Sequence, residues 1–149
     1  MSVAVSVAAD GVRVPVAAAK LAEVARGVLR AERVREAMLS IAFVTTREIA
    51  RLNRAHLGHR GPTDVISFGF APAGRDGAVV GDIYISPDVA RENARAHGAG
   101  VREEVVRLVV HGTLHVLGHE HPVDAGREGS AMWRRQEALL ARLYPGGAR

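Results

Sequence analysis

The chain has no cysteine, which excludes disulfide staples and thiolate metal sites. Aromatic residues make up only 4% of it, too few for a surface that holds nucleic acid mainly by base stacking. No apolar run approaches the roughly 18–20 residues that a membrane helix needs. Lysine is nearly missing as well: Lys20 is the single one among 20 basic residues, and all the others are arginine. A GC-rich coding genome is the plain reading of that skew. Arginine nevertheless pairs bidentately with phosphate, so the balance tolerates a nucleic-acid partner. The net charge of +4 is modest and carries little by itself.

What is present reads as one globular domain over residues 1–149. Apolar residues form 48% and charged residues 24% of the chain, ordinary values for a protein with a real core. Met1–Ala9 is apolar but short, has no basic leader and runs straight into Asp10-Gly11. That pattern predicts a strand and turn, not a signal peptide, and makes the cytoplasm the expected compartment.

The pattern along the chain predicts an α+β fold, a small mixed four-stranded sheet packed with about five helices in the order β-α-β-α-β-β-α-α-α. Strands are expected over Ser2–Ala8, Glu36–Thr45, Val65–Phe70 and Val79–Ser86, the last two as an antiparallel hairpin. Pro15 is expected to open a helix to about Arg30, with Leu21, Val24, Ala25 and Val28 on one face. Thr45 and Glu48 have capping-box spacing for a helix to about Leu57. Pro87 opens a third helix that Gly98 ends. Val101–Leu117 is the most apolar helix, and an amphipathic one closes the chain over about Gly129–Leu143.

Four of the seven histidines fall in HGTLHVLGHEH, residues 111–121. His111 and His115 are one helical turn apart, so both imidazoles can reach one ion at roughly 2.0–2.1 Å from each nitrogen. Gly118 can adopt the left-handed conformation that ends a helix, which turns the chain back and brings His121 toward the same point. His119 is the runner-up for that third position, and Glu120 lies in the same turn. Without cysteine to close the shell, three histidines and an open water position point to catalytic zinc. Zinc proteases of the H-E-x-x-H type place a glutamate general base after the first histidine. Here Gly112 stands there, so that base is missing. A glycine within a helix costs about 0.8–1 kcal/mol relative to alanine. Close packing or clearance for a bulky substrate beside the metal would each explain it.

These residues resemble the YbeY family of bacterial single-strand-specific endoribonucleases. HGTLHVLGHEH is similar to the family's HGxLHLxGxDH signature, with Glu120 where aspartate is usual. GPTDVISF at residues 61–68 and GDIYIS at residues 81–86 extend the likeness along nearly the whole chain. The resemblance implies one zinc on His111, His115 and His121, endonucleolytic cleavage of single-stranded RNA, and 3′-end processing of small-subunit rRNA in contact with the ribosome. The arginine that family members carry ahead of the PTDV stretch is here Leu57, with His59 and Arg60 as nearby replacements. No catalytic residue is therefore named. The alternative is a non-catalytic zinc-containing ribosome assembly factor.

Arg47, Arg51 and Arg54 recur at helical spacing and Arg60 follows, either as a phosphate-tracking face or as a solvated face opposite Ile49 and Leu52. Arg51, His59 and Arg60 are the candidate substrate-binding residues. Asp64 and Asp82 could orient ligand histidines, and could equally end a strand or cap a turn. Trp133 is expected in the core.

Overall fold

The computed structural model describes residues 2–70, 77–119 and 130–145. Strands β1 (Val3–Ala9), β2 (Ala37–Phe43), β3 (Val65–Phe70) and β4 (Val79–Ile85) form one sheet in the order β1-β2-β4-β3. β1, β2 and β4 run parallel, while β3 pairs antiparallel with β4 at the open edge. Helices α1 (Ala18–Ala31), α2 (Thr46–Leu52), α3 (Pro87–Ala96), α4 (Val101–Val116) and α5 (Ala131–Leu143) complete the order. The fold is the mixed-sheet α+β arrangement expected, hairpin included.

Helix boundaries follow local chemistry. Ser86 accepts from the N–H of Val89 at 3.2 Å ahead of Pro87, and Ser130 caps α5 through the N–H of Trp133 at 3.1 Å; each satisfies a donor that has no partner inside its helix. Thr45 caps α2 in the same way, accepting from Glu48 N–H at 3.1 Å. The Glu48 carboxylate binds Arg51 at 2.8 and 2.9 Å, so only half of the expected capping box is made. After α2 the chain widens into a π-helical turn over Asn53–Leu57, closed by Gly58 at φ 68°. α1 starts later than Pro15 predicts, at Ala18, because Ala17 is still extended at φ −62°, ψ 141°.

Strand alternation divides the interior into two layers. Leu39, Ile41, Phe43, Ile83 and Ile85 face a large core shared with α1, α3, α4 and α5, in which Leu21, Val24, Val28, Val109 and Leu114 are fully buried. On the other face Ile66 packs with Val44, Ile49 and Leu52 under α2, with Phe68 and Tyr84 beside them. Farther along that second face, Met38, Val80 and Phe70 lie side by side on neighbouring strands and are exposed.

Glycines set how close α4 comes to the sheet. A Cβ on Gly81 would stand 2.4 Å from Val116 Cγ1, and one on its cross-strand partner Gly69 2.8 Å from the Val116 carbonyl oxygen. A Cβ on Gly112 would stand 2.8 Å from Ile83 Cγ2 and 3.1 Å from Ser67 Oγ. Gly112 is thus buried against the sheet. Close packing explains it, and substrate clearance does not.

Candidate metal centre

Helix α4 carries the first two ligand candidates. The imidazoles of His111 and His115 meet edge to face with centroids 4.6 Å apart, the juxtaposition expected of side chains one turn apart. His111 Nδ1 lies 2.7 Å from Oε1 of Gln136 on α5. An amide oxygen only accepts, so Nδ1 carries the ring proton and Nε2 keeps the lone pair a metal requires.

Gly118 ends α4 as its sequence position predicts. At φ 99° it closes a Schellman turn, with Gly118 N–H on His115 O at 3.0 Å and His119 N–H on Leu114 O at 3.0 Å. His119 leaves this turn toward α1, its Nε2 2.6 Å from Glu32 Oε1, while Arg135 holds the other carboxylate oxygen at 2.9 Å. Burial pushes the Glu32 carboxyl up, but the hydrogen bonds from Arg135 and His119 outweigh it and hold the group below its ordinary range. His119 is thereby engaged away from its helical neighbours. His121 and Glu120 lie outside the described residues. Among the described residues no three His, Asp or Glu side chains converge on one point. The donor chemistry of the pair fits zinc: two imidazoles on one helix face, one of them with its tautomer set by a neutral acceptor.

Beside His111 opens a cavity of about 490 Å³ whose walls include Asp64, Asn93, Glu104, Trp133 and Gln136. Trp133 is half-buried at this wall rather than in the core, because its position on α5 turns it away from the stripe of Met132, Leu139 and Leu140. Asp64 accepts from Asn93 Nδ2 at 3.2 Å and shares the cavity with His111. Asp82 does not approach this site. Its neighbours Gly81 and Ile83 face α4, so alternation sends Asp82 to the opposite face. Burial raises the carboxyl of Glu104 above its ordinary range despite its hydrogen bond to Arg107.

Arg47, Arg51, Arg54 and Arg60 border an open groove with Ala50, Ala55 and Gly61. Buried Asn53 ties down the turn beside it: its side-chain amide donates to Gly61 O at 2.9 Å, and its backbone carbonyl accepts from His59 N–H at 3.3 Å. His59 and Arg60 are exposed, Leu57 is 47% exposed, and Arg51 is paired with Glu48. The groove belongs to the α2 side of the sheet and the histidine pair to the α4 side. Residues 61–64 join the two regions: Gly61 lines the groove and Asp64 lines the cavity beside His111.

The sequence profile described as Endoribonuclease YbeY matches residues 8–144. The chain belongs to the YbeY endoribonuclease family. Endoribonuclease YbeY of Syntrophus aciditrophicus is 32% identical over 149 residues, covering 97% of this chain and 92% of that one. The YbeY of Anaeromyxobacter dehalogenans is 40% identical over 144 residues, covering 94% of this chain and 73% of its own. The solution structure of TM1509 from Thermotoga maritima has a TM-score of 0.60 at 24% identity, covering 94% of this chain and 89% of that one, a likeness of fold. No helix among the described residues is long and apolar enough to cross a membrane.

Gln136 escaped the sequence reading. The signal was a glutamine in line with Met132, Leu139 and Leu140 on the buried stripe of α5, where a leucine would ordinarily sit.

Proposed function

We propose that this chain is a zinc-dependent endoribonuclease of single-stranded RNA, working in the cytoplasm on small-subunit rRNA 3′ ends in contact with the ribosome. The observation that carries the reading is the His111–His115 pair on α4, with one ring's tautomer already set, in a member of the YbeY family. His111, His115 and His121 would hold the ion. When bound, it supplies Lewis acidity that activates water and neutralises charge on a phosphoryl oxygen. The chain's own part is to hold those rings and to guide the strand. Arg47, Arg54 and Arg60 offer exposed cations for backbone phosphates, with Arg51 and His59 beside them. A strand that used both regions would follow residues 61–64, which border the groove at Gly61 and the His111 cavity at Asp64, a bent path that a flexible single strand can take and a stiff duplex cannot.

Leu57, in the place of the family's arginine, favours a second reading as a non-catalytic zinc-containing ribosome assembly factor. Labelled single- and double-stranded RNA, offered to zinc-loaded and chelator-treated protein, separates the two. The nuclease reading expects cleavage of the single strand by the loaded protein alone. Zinc binding without cleavage would leave the assembly factor.

A further inference from the structure

We propose that Gln136 is the positioning residue that presents His111 to the metal, an inference that rests on the reading of His111 as a ligand. Gln136 is 1% exposed on the apolar stripe of α5, where an amide persists only if both of its ends are paired. Both ends are paired, and in one sense only. Its Nε2 donates to Glu137 Oε2 at 3.0 Å. A carboxylate only accepts, so the amide oxygen must face His111, where it takes the Nδ1 proton at 2.7 Å.

The orientation is fixed one step farther back. Glu137 receives Arg107 Nε at 2.9 Å and Nη2 at 3.2 Å. Arg107 is itself held by Glu104 and Glu103, each at 2.8 Å. Arg107 sits one helical turn before His111, so the chain of contacts leaves α4, passes through two neighbouring residues of α5 and returns to α4. Each link can point only one way. The result is a His111 ring whose proton stays on Nδ1, which leaves the lone pair on Nε2. An interhelical bond kept only for stability would have no need of a polarised, orientation-locked amide aimed at the ring that shares a centre with a second histidine.

Two measurements on the full chain test this. The first is zinc affinity, by competition with a chromophoric chelator, for the unmodified protein, Gln136→Met and Gln136→Glu. Methionine keeps the bulk and removes the acceptor; glutamate keeps the acceptor. Gln136→Met should bind zinc roughly 10–100-fold more weakly, the scale of such outer-shell losses, and Gln136→Glu, which keeps the acceptor but loses the donor to Glu137, should recover only part of it. The second is the tautomer of His111 in metal-free, ¹⁵N-histidine-labelled protein, read by long-range ¹H–¹⁵N correlation. The Nδ1–H form is expected in the unmodified chain, with a shift toward Nε2–H in Gln136→Met. If Gln136→Met does not fold, Gln136→Glu and the tautomer of the unmodified protein still decide. Unchanged zinc affinity in Gln136→Met, or an Nε2–H His111 in the unmodified chain, overturns the proposal and leaves the metal reading standing. Failure of the unmodified protein to bind zinc overturns both.

Discussion

Toward α4 the sheet presents Ser67, Gly69, Gly81 and Ile83; toward α2 it presents Ile66, Phe68, Asp82 and Tyr84. The first face is nearly flat where the helix crosses it, because two glycines stand opposite each other under Val116. α4 settles close, is flanked by α1, α3 and α5, and carries His111 and His115 half-buried, His111 at the wall of the cavity. The second face is covered at one end by a short helix and a π-helical turn, with exposed arginines above it. A metal centre needs rigidity, because its ligands must stay within a fraction of an ångström of one geometry. A surface for a flexible polyanion needs charge and access, and tolerates a thin core.

The sharpest way to break this division of labour is to exchange the effects of the two faces. His115→Ala should empty the metal site and abolish RNA cleavage, a loss beyond the roughly 10–100-fold of outer-shell changes. Arg54→Ala should keep the zinc. It should weaken RNA binding and flatten the logarithmic salt dependence by about 0.7, the slope of one phosphate contact on a single strand. Elemental analysis and salt titration read the pair. Loss of zinc in Arg54→Ala would show that the faces are not separate.

Stability comes next. Leu114→Ala, in the thick layer, should cost about 2–5 kcal/mol, whereas Ile66→Ala under α2 should fall near the low end of that range, where a thin layer can collapse onto the gap. Urea unfolding of both variants measures the difference, and equal costs would remove the contrast in packing.

Gly112→Ala sharpens the same point by its sign. Helix propensity alone predicts a gain of about 0.8–1 kcal/mol. The contacts with Ile83 and Ser67 predict instead a loss of about 1–3 kcal/mol from overpacking. A raised melting temperature would mean that α4 is less tightly seated than its distances to the sheet imply.

The smallest effect is expected from acid. Glu32 is held below its ordinary value of 4.5, so its contribution to stability is complete above that value and is lost as pH falls through the folded one. Glu32→Gln should therefore lower stability near neutrality by about 1 kcal/mol or less and flatten the decline below pH 4.5. Glu48 is also lowered by Arg51, but that pair is exposed on the α2 side, and Glu48→Gln should leave the acid limb of the stability curve nearly where it was. An acid limb that Glu32→Gln left untouched would remove the α1–α5 tie from the account.

Much of this is set by the sequence alone, because it depends on spacing. Period-two and period-3.6 apolar patterns place the strands and helices, Gly118 marks the end of α4, and residues four apart on a helix must share a face, which is enough for His111 and His115. What lies across the fold from a residue has no such local signature. That Gly112 packs on Ile83, that Asp82 turns from the histidines, that Trp133 borders a cavity and that His119 reaches Glu32 all follow from which elements meet. The same holds for the arginine groove: that Arg51 and Arg60 border one open groove with Arg47 and Arg54 follows from how α2 and the turn after it pack. Gln136 was visible only as an oddity, a glutamine in an apolar stripe. Its partner is 25 residues away, and only the packing of α5 on α4 could turn a misplaced amide into the acceptor that sets a histidine's proton.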